Sequence, residues 1–152
     1  MTTAYDDVLE QITQSVFATM LDIEVVRGFE PYVTTDDSIA SVVQIRGGWD
    51  GGLVIALDRN VARASAASMF RLPAEEVTLA DMQEVAAELA NMVGGNVKSV
   101  LPGPSSLSLP VNLASADQAG NEVTGEEVAL MTESGPLKVS LYGEPRSSAA
   151  NQ

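Results

Sequence analysis

The 152-residue chain has no cysteine and no histidine. That excludes disulfide staples, thiolate nucleophiles, His-centred triads and zinc sites built on Cys or His. Positive charge is scarce as well. With 8 basic against 21 acidic residues the net charge is −13, which opposes nucleic-acid backbones and anionic membranes, so neither is an expected partner. No apolar run approaches the ~18 residues that cross a bilayer. Met1 to Asp7 is acidic where a secretory signal needs basic residues ahead of an apolar core. The expectation is a soluble, cytoplasmic protein. The length suits one compact domain over residues 1–146, with the small polar stretch 147–152 expected as a disordered tail.

Hydrophobic spacing predicts long helices against a largely antiparallel sheet, an α/β (α+β) architecture. Thr3 and Asp6 resemble an N-cap and its first-turn acid, after which Tyr5, Val8, Leu9, Ile12, Val16 and Met20 mark an amphipathic helix. Ile39 to Ile45 and Leu53 to Leu57 read as strands of a hairpin with a flexible tip, Gly47 to Gly52. Trp49, in that tip, either anchors a partner or folds back over the sheet, the second being preferred. Asp58 is placed to cap a helix running to Phe70, and Thr78 with Asp81 to open another as a capping box. Leu107 to Leu113, Glu127 to Thr132 and Leu137 to Tyr142 read as further strands.

The most informative stretch is Glu88-Leu89-Ala90-Asn91-Met92-Val93-Gly94-Gly95-Asn96. Leu79, Met82, Ala86, Leu89, Val93 and Val97 recur at helical spacing around it and predict one buried face. Asp81, Glu84, Glu88, Asn91, Gly95 and Lys98 follow the same rhythm on the opposite face. Residues three apart are surface neighbours, so Glu88 and Asn91 emerge side by side. Spacing alone describes a solvated polar face. Adjacent glycines each cost a helix roughly 1 kcal/mol relative to alanine, so Gly94 and Gly95 need a reason, either close packing or room for a partner. Asn96 falls towards the apolar side, where a partly buried amide bonded to backbone is expected.

A helical Glu-x-x-Asn followed by a Gly-Asn step, here Glu88, Asn91, Gly95 and Asn96, resembles the signature of the CheC/CheX/FliY chemotaxis phosphatases, and the order of elements is most similar to the CheX branch. The resemblance implies hydrolysis of the phospho-aspartate of a CheY-like response regulator. Asn91 would orient the attacking water, and Glu88 would pair with the partner's active-site lysine. It gives Glu84, Gly95 and Lys98, on the same face, the role of partner contacts, although a lysine near a helix C-terminus is also favourable in itself. No cofactor is expected on this chain, Mg²⁺ being supplied by the response regulator. Some family members carry two signatures. Here the first helix offers only Glu10-Gln11-Ile12-Thr13, so one site per chain is expected. The resemblance also implies a homodimer joined through edge strands, and Ile39 to Ile45 and Leu137 to Tyr142, carrying little charge, are the poorly protected candidates. The alternative function is a non-catalytic CheX-like module that regulates a response regulator by occupancy. An unrelated α/β ligand-binding domain is weaker, because there is no Gly-rich phosphate loop.

Overall fold

The computed structural model describes residues 5–113 and 125–145. The expected tail, 147–152, and Thr3 lie outside them. The longest helix, α3 (Leu79–Lys98), has a chemically specified start. The Thr78 hydroxyl accepts the Asp81 N–H at 3.1 Å and the Asp81 carboxylate accepts the Thr78 N–H at 3.0 Å, the reciprocal capping box. Helix α2 (Arg59–Phe70) begins where the Asp58 carboxylate accepts the Asn60 N–H. Helix α1 (Asp6–Leu21) differs from expectation, since Tyr5 rather than Thr3 holds the N-cap position and gives no side-chain cap.

Among the described residues seven strands form one antiparallel sheet: β1 (Val26–Arg27), β2 (Ile39–Gly47), β3 (Trp49–Leu57), β4 (Ser105–Leu107), β5 (Val111–Asn112), β6 (Gly125–Thr132) and β7 (Gly135–Pro145). Their order is β1-β6-β7-β3-β2-β4, with β5 also paired to β2. The three helices pack on this sheet, giving the expected α+β arrangement. Strand side chains alternate between faces. Val43, Ile45, Leu53, Ile55, Leu57, Leu137, Val139, Val128 and Leu130 are therefore buried in one core with Met82, Val85, Ala86, Leu89, Val93 and Val97 of α3. Tyr32, Ala40 and Ala56 make a smaller cluster from the alternate positions.

Three expectations are corrected. The hairpin has no six-residue tip, because β2 runs to Gly47 and β3 starts at Trp49. Gly51 and Gly52 sit in the ladder opposite Gly143 and Tyr142, where an added Cβ would strike the facing strand. Trp49 is buried, as preferred: its indole N–H donates to the Tyr142 carbonyl at 3.0 Å and its ring meets Tyr5 edge-on. Leu107 to Leu113 is not one strand but two short ones, β4 and β5, interrupted around Pro110, which has no N–H to give a ladder. Finally, neither Ile39 to Ile45 nor Leu137 to Tyr142 is an edge. β7 lies between β6 and β3, and β2 between β3 and the β4 and β5 segments, so both are protected by pairing.

Candidate functional site

Burying one side of α3 decides what its other side presents. Because Met82, Val85, Ala86, Leu89, Ala90, Val93 and Val97 face the core, Glu84, Glu88 and Asn91 are exposed, while Gly95 and Lys98 are half-buried at the end of the same face. Leu79, in the first helical position, is 46% exposed and does not join the core as its spacing predicted. Glu88 and Asn91 stand one turn apart, and neither side chain makes a hydrogen bond or ion pair within the described part of the chain. Glu84 and Lys98 are likewise unpaired there. This is a carboxylate acceptor beside an amide that both donates and accepts, held on a rigid helix and free for another molecule.

The two glycines divide the explanations offered for them. A Cβ on Gly94 would lie 2.7 Å from Cγ2 of buried Val43, so Gly94 lets α3 approach β2 closely. A Cβ on Gly95 would meet nothing within 4 Å. Packing gives no reason for Gly95. Asn96 is exposed rather than partly buried, since its position lies at the border of the apolar stripe, yet it makes the expected backbone bond: Nδ2 donates to the Met92 carbonyl at 2.8 Å. With Gln11, Ile12, Ser15 and Val16 of α1 it lines a crevice of about 160 Å³. Sequence reasoning missed this crevice, because only the fold sets α1 beside α3.

The family model described as chemotaxis phosphatase CheX matches residues 39–132, more than half of the chain and the whole of α3. The chain belongs to the CheX family. Among solved structures, the chemotaxis protein CheX of Vibrio vulnificus is 16% identical, with a TM-score of 0.75 over 93% of this chain and 97% of that one. CheX of Desulfovibrio desulfuricans is 17% identical, with a TM-score of 0.71 over 93% of this chain and 100% of that one. The CheX of a Borrelia burgdorferi CheX-CheY-BeF3-Mg²⁺ complex is 16% identical, with a TM-score of 0.70 over 94% of this chain and 99% of that one. Comparison with curated protein sequences gave no match.

In this CheX-family chain the degenerate motif on α1 does not build a second face like that of α3. Glu10 is held by Arg27 at 2.8 Å and accepts from the Gln14 amide. Thr13 is buried, its hydroxyl donating to the Leu9 carbonyl within the same helix. Among the described residues no cluster of three or more carboxylates is placed to hold a metal ion, and no helix is long and apolar enough to cross a membrane.

Proposed function

We propose that this CheX-family chain acts in the cytoplasm on a phosphorylated CheY-like response regulator and hydrolyses its phospho-aspartate. The observation that carries the reading is the Glu88 and Asn91 pair: adjacent, exposed and without internal partners on a helix whose other face is fully committed to the core. In the Borrelia burgdorferi structure a CheX protein is in complex with CheY, which supports the choice of partner.

In this reading α3 enters the regulator's phosphorylation pocket. Asn91 accepts a hydrogen bond from a water and donates to fix its orientation, aligning it with phosphorus without a pKa of its own. The water's oxygen bonds to phosphorus, the acyl-phosphate P–O bond breaks, and the aspartate carboxylate and inorganic phosphate are released. Glu88 accepts from the regulator's active-site lysine and fixes the register of the helix. Mg²⁺ belongs to the partner. Glu84, Gly95 and Lys98 border the contact, Gly95 leaving room for it.

The test is phosphate release from a panel of phosphorylated response regulators under single-turnover conditions. Acceleration over the regulator's own decay is expected with at least one, and is expected to disappear with Asn91→Ala. Tight binding with no acceleration would replace the enzyme by a module acting through occupancy.

A further inference from the structure

A chain of net charge −13 that docks on an acidic phosphorylation pocket meets long-range repulsion, so the contact needs local positive charge. The described basic residues divide in a way that supplies it. Arg27, Arg46 and Lys138 are in ion pairs with Asp7, Glu10, Asp50 and Glu127. Arg59, Arg63, Arg71 and Lys98 form no ion pair among the described residues; Lys98 ends α3, and the three arginines all belong to α2 or its C-cap. Nothing acidic interrupts them between Arg59 and Phe70.

Local energetics favours Arg71, a cation at the helix C-terminus, but does not explain Arg59. Arg59 stands in the first turn of α2, where a cation faces the positive end of the helix. Glu75, Glu76 and Glu84, exposed around the start of α3, make no ion pair with the strip, and the Asp81 carboxylate is occupied by its capping bond. Arg71 is exposed and Arg59 and Arg63 are half-buried, so their charged ends sit at the surface of a packed helix. Arg63 donates to the Val77 carbonyl at 3.4 Å, which fixes the strip beside the entrance to α3.

We propose that the α2 arginines form a second contact surface for the response regulator, gripping the acidic surround of its phosphorylation pocket while α3 enters it. This rests on the function proposed above. The scale fits: a standard interface buries about 800 Å² per partner, a patch of roughly 16 Å radius. Leu79, the first residue of α3, and Glu88 are about 14 Å apart along the helix axis at ~1.5 Å per residue. A footprint centred on Glu88 thus reaches the start of α3, beside which Arg63 is held on α2. Complementary charge at the border of an interface sets association rate and register.

The experiment uses Arg59→Glu/Arg71→Glu, leaving Arg63 in place because it bonds Val77. Affinity for the response regulator is measured by anisotropy at low and high salt, with the saturated single-turnover rate alongside. The double variant should bind about tenfold or more weakly at low salt and lose much of the salt dependence, with the saturated rate unchanged. If it fails to fold, Arg59→Gln/Arg71→Gln should show the same effect at smaller size. A wild type that dephosphorylates the regulator, with variants of equal affinity and equal salt response, overturns the arginine surface alone. A wild type that neither binds nor dephosphorylates any regulator overturns the proposed function and this surface with it. Arginine-dependent binding of a short DNA duplex, with none to the regulator, would assign the strip to nucleic acid instead.

Discussion

The Asn91 side chain contributes nothing visible to its own fold, being exposed and without a hydrogen bond among the described residues, so its replacement separates chemistry from stability. Asn91→Ala should slow single-turnover dephosphorylation by ~10²-fold or more while the complex still forms, because a misplaced reactant costs that much. Glu88→Ala should instead weaken association by about 2 to 5 kcal/mol, mostly the penalty of a partner lysine left buried and unpaired. Titration calorimetry distinguishes the two, and wild-type activity in folded Asn91→Ala would defeat the reading. The glycines make a matched pair of stability measurements. Gly94→Ala forces a methyl group to within 2.7 Å of Val43 and should cost about 1 to 3 kcal/mol in urea unfolding. Gly95→Ala enters open space and should stabilise the helix by up to ~1 kcal/mol while impairing dephosphorylation, if the partner uses that room. The sequence could not assign one glycine to packing and its neighbour to access, since both lie in the same helical turn. A 100° step around the axis decides it.

At the scale of elements, the starts of α2 and α3 were legible because capping is local: Asp58, Thr78 and Asp81 act within three residues of themselves. The segment between β1 and β2 was not legible. It is tied down by Tyr32, which packs on Ala40 and Ala56 and shares a hydrogen bond with the Ser38 hydroxyl at 2.5 Å. Burial raises the Tyr32 pKa above the ordinary 10.0, with a smaller push from the Asp58 charge, and the Ser38 bond opposes the rise. The folded chain therefore prefers the neutral phenol and the unfolded chain ionises first. The resulting stability is complete below the unfolded pKa and is lost as pH rises through the folded one. Urea unfolding across the alkaline range should show this loss in the wild type and a flatter profile in Tyr32→Phe. Equal slopes would remove Tyr32 as the cause.

For the whole molecule, the sheet order changes the basis of the expected homodimer. With β2 and β7 in the interior, an edge-joined dimer uses either the β4 and β5 side or the β1 side, and the β1 side exposes the larger apolar group, Val26, Phe29, Val33 and Met131. Phe29, Val33 and Met131 also line an open groove of about 450 Å³ there. Sedimentation at micromolar concentration should give about twice the chain mass of 15.9 kDa, and Phe29→Asp should return it to 15.9 kDa. A wild type already sedimenting at the single-chain mass would reject the dimer.

The sequence by itself determined the properties that depend on residue type and near neighbours. The lack of Cys and His, the sign of the net charge, the helical period that sets Glu88 beside Asn91, and the caps at Asp58 and Thr78 belong to that group. Tertiary structure decided what depends on partners far along the chain. Only pairing with β7 turned Gly51 and Gly52 from an apparent loop into a ladder and drew Trp49 inward. Only sheet order protected Ile39 to Ile45, and only the packing of α2 beside α3 set an arginine strip next to the signature helix. Periodicity reports which face of an element is apolar, whereas its neighbours are fixed by the burial of all such faces at once.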